Sequence, residues 1–160
     1  MLVSEMSRRD CDEFLGRVGF GRLACVRDGQ PYVVPVYFAA EPGRLFGFAT
    51  VGQKIDWMRS NPRVCVQADE VLGQTEWTSV VAQGRYEEFP DTPEYARPRQ
   101  EAQSRLEKVR SLWWQGGFAA AQTRRQVDGD RTIFYCIHVE EITGRRASRD
   151  PAEQNVTKVP

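Results

Sequence analysis

The chain has 160 residues, 41% hydrophobic and 28% charged, a composition that suits one soluble globular domain. Its 22 basic and 22 acidic residues cancel, which argues against a general nucleic-acid binder, because such affinity comes from excess basic charge. No apolar run approaches the roughly 20 residues that span a bilayer, and the N-terminus "MLVSEMSRRD" lacks a signal-peptide core, so a cytoplasmic protein with no membrane partner is expected.

"SRRDCDEFLGRV" predicts a first helix. Ser7 and Asp10 have capping-box spacing, and Cys11, Phe14, Leu15 and Val18 form one apolar face before Gly19 and Gly21 break it. "GRLACVRDGQPYVVPVYF" predicts a β-hairpin turning at Asp28-Gly29, a pair suited to a type I′ turn. Pro35 in the second strand of that hairpin implies a sheet edge or a bulge. "EPGR" reads as a turn and "RLFGFAT" as the third strand, with Gly47 leaving an open spot on it. A short helix follows, with Thr50 as its cap and Asn61-Pro62 as its end. "RVCVQAD" is a fourth strand, "VLGQ" a loop, and "TEWTSVVAQGRYEEF" a long fifth strand with Gly84 as a bulge. The next stretch is helical, with Thr92 as cap and Pro93 at the first position, and Pro98 either splits it or marks its true start. "RTIFYCIHVEEIT" is the sixth strand, and residues 144–160 read as a polar tail outside a single domain of residues 1–143. Hairpin connections dominate, so the expected fold is mainly β: a six-stranded antiparallel barrel, closed or split, with helices at its margins.

Catalytic side chains are scarce. Cys11, Cys25, Cys65 and Cys136 are widely spaced inside apolar patterns and read as reduced, buried thiols. The single histidine, His138, lies on a strand, which leaves no His/Cys metal cluster. Glu87-Glu88 and Glu140-Glu141 are neighbours on strands, so their side chains point to opposite faces and form no acid–base pair.

The short helix carries the strongest local signal. Its expected first turn, "TVGQK", holds a lysine and no acid, although helix starts favour carboxylates. Only three of the chain's 22 basic residues are lysines, and Lys54 is one. Thr50, the free N–H groups of Val51, Gly52 and Gln53, and Lys54 compose a phosphate cradle of the helix-N-terminus kind. The alternative reading is an ordinary threonine-capped turn with a solvated lysine.

The segments "FGRLACVRDGQPYVVPVYF", "GRLFGFATVGQKIDWMRSNPRVCVQAD", "WTSVVAQGRYEEF", "LWW" and "EEITGRRA", in this order and spacing, resemble the pyridoxamine-phosphate-oxidase-like, FMN-binding split-barrel superfamily. The branch it looks most like includes the nitroimidazole-resistance reductases. The resemblance implies a homodimer with FMN in the cleft between subunits. By the same resemblance Ala49, Thr50 and Lys54 would hold the FMN phosphate, and Val34, Pro35 and Val36 would run beside the isoalloxazine ring. Trp77 and Ser79 would sit near the flavin or the dimer seam, and Trp113 and Trp114 would shape the substrate pocket. Phe48 occupies a position where the nitroimidazole branch often has histidine; it can stack but cannot exchange protons, which weakens any transfer of nitro-reducing activity. The implied activity is FMN-dependent oxidation or reduction of a small organic substrate. The competing expectations are a dimeric carrier of a flavin, deazaflavin or haem without turnover, and a barrel that has lost its ligand.

Overall fold

The structure is a computed structural model and describes residues 1–109 and 132–149. Among the described residues eight strands and three α-helices follow in the order β1 (Leu2–Glu5), α1 (Arg8–Val18), β2 (Phe20–Arg27), β3 (Gln30–Tyr37), β4 (Ala39–Glu41), β5 (Arg44–Ala49), α2 (Gln53–Ser60), β6 (Arg63–Gly73), β7 (Glu76–Phe89), α3 (Ala96–Lys108) and β8 (Ile133–Ser148). All pairings are antiparallel, and the sheet runs β3-β2-β6-β7-β8-β5-β4, with β1 added to β8. It is an open, curled sheet of the split-barrel kind. β3 and β5 touch across its mouth although they share no ladder.

Local chemistry explains most boundaries. Ser7 caps α1 in a full capping box with Asp10, and Gly19 ends the helix in the left-handed region at φ 61°. Asp28 and Gly29 both take positive φ, 52° and 78°, as the type I′ turn requires. The β2–β3 register passes through Pro35 without a shift, so the proline marks an edge strand rather than a bulge. Asn61 ends α2, with its N–H bonded to the Trp57 carbonyl.

Two strands lie outside the six expected. β4 pairs residues 39–41 with β5 around the Gly43 turn, and β1 pairs with residues 145–148. That second pairing overturns the expected tail. β8 continues to Ser148, and Ala147 is buried between Trp77 on β7 and Val3 on β1, so the domain extends past residue 143. β6 also runs on to Gly73, through residues expected to form a loop. Thr92 makes no side-chain cap: Pro93–Tyr95 form a 3-10 turn and α3 starts at Ala96, placing Pro98 in its first turn.

The main core fills the barrel. Leu23, Cys25, Val66, Val80 and Ala82 come from the sheet, Phe14 and Leu15 from α1, and Ile55 and Met58 from α2. Because successive strand residues face opposite ways, Leu45 and Ala49 of β5 join this core, while Phe46 and Phe48 turn to a second cluster under α3 with Phe89, Phe134 and Leu106. Gly47 is not an open spot. A Cβ there would lie 2.3 Å from Cζ of the buried Tyr135. Gly84 answers to a close approach as well. The extra residue of the bulge is on β8, between Val139 and Glu141, and a Cβ on Gly84 would meet the His138 carbonyl at 2.1 Å. Among the described residues no helix is long and apolar enough to cross a membrane.

Candidate functional site

The junction between β5 and α2 forms the first part of the site. β5 ends at the buried Ala49, which pairs with Ile133. The chain then bends at Val51 and Gly52, and Gly52 is the N-cap of α2 (φ 174°, ψ 178°) and offers no side-chain bond. Thr50 is therefore not the cap, because the helix begins two residues later than expected. Its first turn is consequently Gln53–Asp56 and does contain an acid, Asp56, exposed and 3.7 Å from Arg59. The shifted start leaves two backbone donors. The first helical bonds run from the Ile55 and Asp56 N–H groups to the Gly52 carbonyl at 3.0 and 3.1 Å, so the N–H groups of Gln53 and Lys54 precede the ladder. Nothing lies within 4 Å of the position a Gly52 Cβ would take, so a ligand can reach this backbone.

Lys54 is half-buried and has no hydrogen bond or ion pair among the described residues. Burial lowers its pKa below the ordinary lysine value, and the one charge partner acting the other way is Cys25. Burying an ammonium without a counter-ion costs free energy, so an anion placed beside Lys54 would relieve a standing penalty.

The strand beside this junction is β3. Val34 is half-buried against the main core, Val36 is buried and Pro35 is exposed. The Trp57 ring of α2 lies 5.4 Å from that of Tyr32, tying the short helix to the hairpin. β3, which bears Val34, Pro35 and Val36, touches β5, which ends at Ala49 and leads through Thr50 to the α2 start that carries Lys54. Phe48 shares that strand but faces α3 and pairs with Phe134, away from the Ala49 side.

Trp77 and Ser79 occupy a second place. Cys25, the neighbour of Lys54, pairs with Val64 and through it with Gly84. Ser79 lies five residues from Gly84 along β7, about 17 Å at a strand rise near 3.4 Å per residue. Around Ser79 the structure adds polar residues that single-strand patterns do not reveal. Gln67 Nε2 donates to Ser79 Oγ at 3.3 Å and to Asp69 Oδ1 at 2.9 Å, and Arg22 Nη1 donates to Asp69 Oδ1 at 2.8 Å. The only sequence signal was polar residues at alternate positions of outward-facing strands. Trp113 and Trp114 lie outside the described residues.

The remaining titratable groups offer little catalysis. Burial raises all four cysteine thiols, Cys136 to about 12, so none is a ready thiolate. Cys11, Cys25 and Cys136 are buried as expected, and Cys65 is only partly so. The exposed His138 bonds Glu87 through Nε2 at 2.6 Å, while Glu88 on the opposite face takes a bidentate pair from Arg59. No group of three metal-binding side chains occurs among the described residues.

Comparison with known proteins supplies the family. A protein of Rhizobium meliloti (strain 1021), itself uncharacterized, is 42% identical over 147 residues, 92% of this chain and 97% of that protein. The crystal structure of a FAD-binding protein from Mesorhizobium loti is 41% identical, covers 93% of this chain and 99% of its own, and superposes with a TM-score of 0.72. A Bacteroides thetaiotaomicron protein assigned to 5-nitroimidazole antibiotic resistance shares the fold at TM-score 0.63 and 16% identity, over 93% of both chains. The profile of the pyridoxamine 5'-phosphate oxidase family matches residues 7–146, nearly the whole described fold, and the chain belongs to that family.

Proposed function

We propose that the chain works as a homodimeric flavin-dependent oxidoreductase acting on a small organic substrate, with FMN as its flavin. The observation that carries this reading is Lys54: a half-buried ammonium with no partner among the described residues, on the helix turn whose Gln53 and Lys54 N–H groups precede the α2 ladder. A phosphate ester fits that donor set in charge and in hydrogen-bond direction. Lys54 and the Gln53 and Lys54 amides would hold the phosphate, and the β3 stretch from Val34 to Val36 would flank the ring. In the proposed dimer Trp77 and Ser79 would close on the ring at the seam between subunits. When bound, the flavin supplies hydride transfer, and the protein positions it and excludes water. That division of labour asks no nucleophile or general base of the protein.

The Mesorhizobium loti relative favours a second reading of the cofactor, FAD, which carries the same ribityl phosphate and would use the same anchor. Natively purified protein tests both. It is expected to be yellow and dimeric, and mass analysis of the released chromophore distinguishes FMN from FAD. Turnover with a reduced nicotinamide donor separates an enzyme from a carrier of flavin, deazaflavin or haem. A Lys54→Glu variant that folds and keeps full flavin occupancy would overturn the anchor, and a flavin-loaded monomer would overturn the two-subunit site.

A further inference from the structure

A second cleft, of about 380 Å³, opens where β1, β7 and β8 meet, lined by Glu5, Met6, Ser79, Val81, Thr143 and Arg145 among others. Its size falls within the range of about 300–1,000 Å³ common for small-molecule sites. The register is specific. Ser79 pairs with Arg145 and Val81 with Thr143, so Thr143 and Arg145 stand on one face of β8, about 7 Å apart at two residues of strand rise.

Apart from the Glu5 carboxylate, the polar side chains here can each donate a hydrogen bond. Ser79 Oγ already accepts from Gln67, which leaves its own O–H to donate. The Thr143 hydroxyl has no partner among the described residues. Arg145 meets one carboxylate, Glu5, at 3.8 Å, a long pair between side chains 67% and 85% exposed. Such a pair binds weakly and exchanges readily, so the guanidinium is open to a better acceptor. Val81 and Met6 give the cleft an apolar wall beside these donors.

We infer that this cleft binds a small carboxylate-bearing molecule with an apolar body: its carboxylate would meet Arg145, Thr143 and Ser79, and its body would lie against Val81 and Met6. Because Ser79 belongs to the site proposed above, this names the substrate class of that site and rests on that reading for its catalytic meaning. Glu5 is the competitor that an incoming carboxylate displaces.

Calorimetric titration of the natively purified protein with benzoate, benzamide and inorganic phosphate tests the inference, with the visible spectrum of any bound flavin recorded alongside. Benzoate is expected to bind saturably and more tightly than neutral benzamide, by up to about fivefold, the upper end for a partly exposed ion pair. Arg145→Gln should bring benzoate down to the benzamide level. Glu5→Gln should tighten benzoate, which a merely structural role for Arg145 would not produce. Equal binding of benzoate and benzamide, benzoate binding that survives Arg145→Gln, or a preference for phosphate each overturns the carboxylate site. Arg145-dependent benzoate binding by a colourless protein would support the cleft while refuting the flavin reading, so the two failures are distinguishable.

Discussion

Replacing Lys54 with methionine separates a ligand anchor from an ordinary surface lysine, because the two roles predict opposite balances of stability and affinity. Methionine keeps the length of the apolar stem and removes the ammonium. In the flavin-free protein the ammonium is half-buried without an ion pair among the described residues, and burial lowers its pKa. The unfolded chain therefore holds that proton more tightly than the folded one. The resulting cost is present at neutral pH and is relieved as pH rises through the folded pKa. Flavin-free Lys54→Met should accordingly be at least as stable as the parent at pH 7, with the difference shrinking in alkali. Binding should move the other way. A hydrogen bond to a charged group contributes about 1.5–3 kcal/mol, so losing the lysine should weaken flavin binding by about 10- to 150-fold. Urea denaturation of the flavin-free protein gives the first quantity, and flavin fluorescence titration gives the second. The affinity gap should also narrow as salt is raised. A variant that is less stable without flavin and binds it with unchanged affinity would refute the reasoning.

Three further outcomes follow from the packing and the ion pairs. Gly47→Ala should destabilise by about 1–3 kcal/mol, since its Cβ would lie 2.3 Å from the ring of Tyr135, which is 2% exposed; the urea midpoint reads it. Met58→Ala, at a fully buried site on α2, should cost about 2–5 kcal/mol and weaken flavin binding too, because the same helix presents Lys54. Hydrogen bonds from Arg59 hold Glu88 below its ordinary pKa near 4.5, aided by the Tyr86 hydroxyl. The folded pKa is depressed, so this stabilisation is fully present above pH 4.5 or so and is lost as pH falls through the folded value. Glu88→Gln should cost about 1 kcal/mol at pH 7, given that the pair is partly exposed, and the two stability curves should converge in acid.

The elements that were legible in the sequence are those whose causes are local. Ser7 and Asp10 sit three residues apart and cap α1 as read, and Asp28-Gly29 sets its hairpin through two φ angles. What escaped depends on partners far along the chain. Leu2–Glu5 look like a loose end until residues 145–148 supply their ladder, and the same pairing turns an apparent tail into strand. Gly47 looked like a vacancy because nothing nearby in sequence announces the Tyr135 ring. The candidate site divides along the same line. Lys54 was visible as a cation at a short helix, but the shift of its cap from Thr50 to Gly52 follows a bend at Val51 and Gly52 that propensity does not encode. The bonds joining Arg22, Gln67, Asp69 and Ser79 cross three strands, and each residue alone reads as ordinary surface.

The prolines of β3 bear on how the protein avoids its neighbours. Pro31 and Pro35, with Val33 midway, share one side of the strand, and a residue without N–H tolerates the β2 ladder only where that side points outward. Two of the donors on the free rim of the sheet are thereby missing. A foreign strand docking there would find its ladder broken twice, so the rim resists stacking into filaments in crowded solution. A flat aromatic molecule asks for no such ladder and can still lie along it.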